Sequence, residues 1–182
     1  PSCDAVMAKR ALDLGAAGII VPSVNSVEEA ARAVAIALFP PEGVRGASLC
    51  RATDYGRDFD EYFRGHNRRA VVVVMLEHRD AARDADAILA TPGISAALIG
   101  PYDLSASMGL AGQLDHPDVA GARARILEAC RRRGVPAGIH VVSGDPAEIG
   151  RRIEEGFRFI ACGIDTLFLR DGCRRSLAGA GR

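Results

Sequence analysis

The sequence predicts an α/β fold with an all-parallel sheet, on three observations. Five apolar runs of strand length recur along the 182 residues, helical segments separate each from the next, and no two are joined by a two-residue hairpin turn. Parallel neighbours need a crossover, and right-handed helical crossovers supply it. At 48% hydrophobic and 25% charged residues, the chain can bury a real core as one domain spanning 1–182.

The elements follow in order. Residues 4–14 (DAVMAKRALDL) carry apolar positions at helical spacing, and Gly15 stops them. Residues 16–22 (AAGIIVP) read as a buried strand, and Asn25 or Ser26 caps an alanine-rich helix over 27–39 that Pro40-Pro41 ends. From Gly43 to Asn67 the pattern weakens into a glycine- and charge-rich loop with a short helix over 57–65. A long irregular stretch in a compact domain is often functional. Strand 71–76, helix 79–90 and strand 95–100 make a βαβ unit, followed by a turn of helix over 104–109. A helix over 117–133 closes at Gly134, and 135–141 is a strand. Asp145 with Pro146 starts a helix to Gly156, and strand 157–163 and helix 166–178 finish the pattern.

The central βαβ unit carries the candidate chemistry. Glu77 closes its first strand, and Asp103 lies just past its second, after the turn Gly100-Pro101. Neighbouring parallel strands raise both carboxylates at one end of the sheet, where ligands of parallel α/β proteins bind. On residue type alone, Glu77 is either a metal ligand or a carboxylate facing a helix N-terminus, and Asp103 is either a ligand or an N-cap.

Charge and cysteine content narrow the partners. With 23 basic and 23 acidic residues the net charge is zero, which favours neither nucleic acid nor an anionic membrane, so a small-molecule partner is expected. Cys3, Cys50, Cys130, Cys162 and Cys173 are odd in number and form no CxxC pair, which suits a reducing cytoplasm. No apolar run approaches the roughly 20 residues of a membrane helix, and no leader is recognisable. The opening Pro1-Ser2-Cys3, without an initiating Met, leads us to expect that the sequence starts inside a longer protein.

Five βα units fit two architectures, an open doubly wound sheet complete at five strands or a (β/α)8 barrel short of three. GxGxxG and GxxxxGK[ST] are both missing, which removes the commonest nucleotide-binding reasons for the open sheet. Five segments in order, GAAGIIVPSVNSVEEA, FPPEGVRGAS with a following RA…YG, MLE, GPYDLSASMG…G…HPDV and GFRFIACGIDTLFL, resemble the HpcH/HpaI family of metal-dependent pyruvate aldolases over essentially the whole chain. The resemblance implies a (β/α)8 TIM barrel of which this chain holds about the last five βα units, lacking roughly 70 residues of a typical ~250-residue domain. It also implies a homo-oligomer with an exchanged terminal helix. The reaction implied is cleavage of a 4-hydroxy-2-oxo acid, such as 4-hydroxy-2-oxoheptanedioate or a 2-keto-3-deoxy sugar acid, to pyruvate and an aldehyde. The implied cofactor is Mg²⁺, Mn²⁺ or Co²⁺.

Carried across by position, the family's metal ligands fall on Glu77 and Asp103, and an Asp that raises the basicity of the catalytic His falls on Asp13. The turn Gly100-Pro101-Tyr102-Asp103 would hold the substrate carboxylate through the amides around Tyr102 and Asp103. The family's catalytic His and an enolate-steadying Arg fall before Pro1. Where members often carry Gln and Thr around the metal Glu, this chain has Met75 and His78, which touches the substrate tail more than the metal. Two carboxylates suit a hard, octahedral cation that keeps water and substrate oxygens as its other ligands. A Schiff-base mechanism is not expected, because the only lysine, Lys9, lies in the first helix.

Several residues carry plainer readings. His78 next to Glu77 invites a third-ligand reading, but consecutive strand-end residues point in different directions. His140 faces the barrel interior or its wall, with lining of the pocket as the alternative, and His66 and His116 read as surface loop residues. Arg45 and Arg51 either meet an acidic substrate tail or pair at the surface. Arg131 to Arg133 complement a helix dipole, and Cys162 is a small buried apolar residue. The competing functions are a citrate- or malyl-CoA-type lyase of the same superfamily and a catalytically inactive truncated barrel.

Overall fold

The computed structural model describes residues 3–179, so Pro1 and Ser2 lie outside the described residues. Eight helices, α1 (Ala5–Asp13), α2 (Val27–Ala35), α3 (Phe59–Arg69), α4 (Arg79–Leu89), α5 (Pro101–Ser107), α6 (Pro117–Arg133), α7 (Pro146–Glu155) and α8 (Asp165–Gly179), accompany five strands among those residues. The strands are β1 (Gly18–Val21), β2 (Val71–Leu76), β3 (Ala96–Ile99), β4 (Ala137–Val141) and β5 (Phe159–Cys162). All pairs are parallel, and the order across the sheet is β1-β2-β3-β4-β5.

That order decides between the two architectures. A doubly wound sheet reverses direction at a switch point, with helices on both faces, whereas a barrel adds each strand beside the last and keeps its helices outside. Here Val74, Leu76, Ala97, Ile99, Ile139 and Val141 pack with helical residues such as Ala81, Ala85, Ile88 and Ile126. The opposite face carries strand residues alone: Val73, Ala96 and Leu98, with Met75, Phe159 and Ala161 against them. The sheet is five-eighths of a (β/α)8 barrel, and this second face is its interior.

Caps and prolines set the boundaries. Asp4 accepts from the Met7 amide at 2.8 Å, and Ser26, not Asn25, caps α2 by accepting from the Glu29 amide at 3.1 Å. Helix α2 stops at Ala35, short of the expected Phe39, because the returning chain takes its carbonyls: the Val44 amide donates to Ala35 and the Arg45 amide to Leu38. Gly134 and Gly156 end α6 and α7 in the left-handed region, φ 66° and 109°. The stretch expected as a loop over 43–67 contains a 3₁₀ turn at Arg51–Gly56 and then all but the end of α3. Among the described residues, no helix is long and apolar enough to cross a membrane.

Candidate active site

The register places the site. Leu76 pairs with Ile99 and Ile99 with Ile139, so one residue further along lie Glu77, Gly100 and His140, side by side on neighbouring strands at the carboxyl edge. Alternation along each strand turns this row toward the barrel interior, since Leu76, Ile99 and Ile139 all face the helices. Glu77 leans across Gly100. A β-carbon at Gly100 would sit 2.6 Å from Glu77 Oε2 and 2.7 Å from Met75 Cε, so a side chain there would displace the tips of both.

Glu77 is held from its other side by β1. The Ser23 amide donates to Glu77 Oε1 at 2.9 Å, and the Ser23 hydroxyl donates to the same oxygen at 3.2 Å. Ser23 adopts φ 55°, a left-handed conformation that costs a non-glycine residue about 1–2 kcal/mol and that aims its N–H at the carboxylate. Hydrogen bonds to a charged acceptor contribute on that scale or more. Sequence reading missed Ser23, since nothing local in VPSVNS announces a backbone turned toward a residue 54 positions away.

Asp103 reaches the same rim by another route. Helix α5 starts at Pro101, whose fixed φ suits the first helical position, and Gly100 is its N-cap. Asp103 is therefore in the first turn, exposed, and does not cap the helix. Its carboxylate has no hydrogen-bond partner among the described residues, and Glu77 Oε2 likewise has none. Two acceptors stand unused at one rim. Among the described residues, no group of three His, Cys, Asp or Glu could hold a metal. A donor set of two carboxylates, completed by substrate oxygens and water, matches a hard divalent ion and not a structural zinc. Pro101 is buried, and the Tyr102 side chain is exposed beside Asp103. His78 caps α4, its Nδ1 accepting from the Asp80 amide at 3.2 Å.

The structure does not bring Asp13 to this group. Asp13 ends α1 just before β1 begins, at the amino edge of a parallel sheet, while Glu77 follows the end of β2. There it accepts from Arg45 Nη2 and Ser48 Oγ, both at 2.8 Å, and pairs with Lys9. Burial pushes the Asp13 carboxyl up, but the hydrogen bonds from Lys9, Arg45 and Ser48 outweigh it and hold the group below its ordinary value. Arg45 is only 3% exposed, so it is neither a surface pair nor a contact for a substrate tail. Its guanidinium stacks 4.6 Å from the Phe39 ring centroid and donates to Tyr62 Oη at 3.0 Å and to His66. His66 is also buried, contrary to the expected surface position, because the chain after α2 folds over it and the Ala37 carbonyl meets its Nε2 at 2.8 Å. Cys162, expected to be buried, is exposed near the end of the outermost strand β5.

Comparison with known proteins agrees with this geometry. The family described as HpcH/HpaI aldolase/citrate lyase matches residues 1–171. The chain belongs to that family. It is 35% identical over 175 residues to a 5-keto-4-deoxy-D-glucarate aldolase of Salmonella arizonae, covering 96% of this chain and 68% of that protein. It is 37% identical over 182 residues to a hydroxypyruvate/pyruvate aldolase of Paraburkholderia phytofirmans, covering 97% and 69%. The crystal structure of a HpcH/HpaI aldolase/citrate lyase family protein from Burkholderia cenocepacia J2315 superposes with a TM-score of 0.93 at 35% identity, over 100% of this chain and 72% of that one. With aldolases at this level of identity across nearly its whole length, the chain is a carbon–carbon lyase of this family.

Proposed function

We propose that the protein is a divalent-metal-dependent aldolase that cleaves a 4-hydroxy-2-oxo acid to pyruvate, or a close relative of it, and an aldehyde. The observation that carries this reading is the pair of unused acceptors, Glu77 Oε2 and the Asp103 carboxylate in the first turn of α5, at the carboxyl edge of the sheet. A 2-oxo acid substrate has two adjacent oxygens that chelate a hard cation, and a sugar-acid substrate fits the activities named for the relatives.

Glu77 and Asp103 would hold Mg²⁺, Mn²⁺ or Co²⁺, which when bound supplies Lewis-acid stabilisation of the charge that develops on the keto oxygen. Ser23 occupies Glu77 Oε1 and so leaves Oε2 for the ion. The amides of Tyr102 and Asp103, in the first turn of α5 where amides lack partners within the helix, face the substrate carboxylate. Met75 lines the interior wall beside Glu77. Lys9, the only lysine, is paired with Asp13 at the amino edge, which argues against a Schiff-base route. The resemblance puts the proton acceptor and the steadying Arg before residue 1, so their steps are not assigned to residues of this chain. Asp13, tied to Lys9, Arg45 and Ser48 at the amino edge, is given no part in the reaction.

The test is pyruvate release from 5-keto-4-deoxy-D-glucarate with Mn²⁺, followed by coupled lactate dehydrogenase. Glu77→Gln and Asp103→Asn are each expected to lower kcat/KM at least about a thousandfold, and EDTA to abolish turnover. Full-rate turnover in EDTA by both variants would remove the metal from the mechanism.

A further inference from the structure

Every side chain that β1 to β5 turn to the barrel interior is apolar or absent, with one exception. The interior positions are Gly18 and Ile20 on β1, Val71, Val73 and Met75 on β2, Ala96 and Leu98 on β3, Gly138 and His140 on β4, and Phe159 and Ala161 on β5. His140 is the exception. Its neighbours on the strand, Ile139 and Val141, are 2% and 1% exposed against the helices, and its register partner Ala161 belongs to the interior cluster.

His140 also lies in the row that begins with Glu77. Only Gly100 separates the two strands, so their Cα atoms are two strand spacings apart, roughly 10 Å. Glu77 Oε2 and the tip of Met75 both lie over Gly100, whose missing side chain leaves room for them. The imidazole is half-buried, and its Nε2 lies 3.0 Å from the Gly163 carbonyl. A carbonyl only accepts, so Nε2 carries the proton and Nδ1 of the neutral ring presents a lone pair. Nδ1 has no partner among the described residues. The interior wall thus offers one hydrogen-bond acceptor beyond the carboxylates, in the same row as Glu77.

We propose that His140 is a specificity-determining residue whose Nδ1 accepts a hydrogen bond from a hydroxyl of the bound oxo acid, so that the site prefers hydroxylated over unsubstituted 2-oxo acids. This rests on the aldolase reading of Glu77 and Asp103 and adds the substrate class. An apolar pocket rejects an added hydroxyl weakly, whereas a buried polar partner distinguishes its presence from its absence far better. The competing role for His140 is structural, a tie from β4 to the turn after β5 through Gly163.

The two roles use different ring nitrogens, and amide side chains separate them. The substitution His140→Asn keeps an acceptor near the Nδ1 position, whereas His140→Gln keeps a donor near Nε2, and His140→Leu keeps neither. The measurement is calorimetric binding of hydroxypyruvate and of pyruvate, which differ by one hydroxyl, to the full protein in Mg²⁺, with circular dichroism on each variant. The proposal expects the ratio of the two affinities to fall about tenfold in His140→Leu and His140→Gln and to stay within about threefold of wild type in His140→Asn. Equal ratios in all three variants, or retention by His140→Gln with loss in His140→Asn, would overturn it while leaving the aldolase reading intact. Wild-type protein that binds neither acid in Mg²⁺ would instead overturn the aldolase reading, and this inference with it.

Discussion

Glu77 is gripped on one oxygen and left open on the other, and that asymmetry makes single-residue effects separable. Ser23→Ala removes the hydroxyl but keeps the amide, so Mn²⁺ affinity read by electron paramagnetic resonance should weaken only about two- to fivefold. Gly100→Ala acts on the open oxygen. Its methyl would meet Glu77 Oε2 and Met75 Cε at less than 3 Å and push the carboxylate out of line, so we expect a loss of Mn²⁺ affinity of at least tenfold with the far-ultraviolet circular dichroism unchanged. Binding as tight as wild type in Gly100→Ala would mean that Glu77 does not need this seat.

At the scale of elements, the amino edge of the sheet is pinned by a knot of α1, the 43–50 segment and α3. Arg45 supplies the cation that joins Asp13, Tyr62 and His66, and its buried side chain has no solvent to fall back on. Arg45→Met should therefore destabilise the protein by about 2–4 kcal/mol in urea unfolding, with the carboxyl rim least affected. The knot also sets an acid limit. Burial holds the His66 imidazole below its ordinary value, and the Ala37 carbonyl only partly opposes this. The unfolded chain then takes up a proton near pH 6.5 that the folded chain refuses, so stability falls as pH drops below that point. Asp13, held low by its three donors, adds a second loss below about pH 4. Urea midpoints measured from pH 8 to 5 should decline for wild type and decline less for His66→Gln.

For the whole molecule, the sheet has two outer strands, β1 and β5, and an apolar interior without a far wall among the described residues. Ile20 and Val71 on that interior face are 48% and 42% exposed, and Val6 and Met7 of α1 flank a groove along β1. Unpaired strand edges beside apolar surface template association. A polypeptide of residues 1–182 alone should bind anilinonaphthalene sulfonate and elute above monomer mass in size exclusion. A dye-silent monomer would show that these edges are covered from within the chain.

The sequence determined the elements and the two carboxylates, because strand and helix periodicities, proline and glycine punctuation and the position of Glu77 and Asp103 at strand ends are local properties. The run of βα units could not choose between an open sheet and a barrel, since both have the same local pattern; the family resemblance implied the barrel, and the strand order with helices packed on one face showed it. Tertiary structure likewise decided what depends on distant segments. Arg45 and His66 looked like loop residues until the chain folded over them, Ser23 found Glu77 from another strand, and the register set His140 in the same row. Packing between residues far apart in sequence leaves no periodic trace, so these contacts become visible only once the strands are side by side.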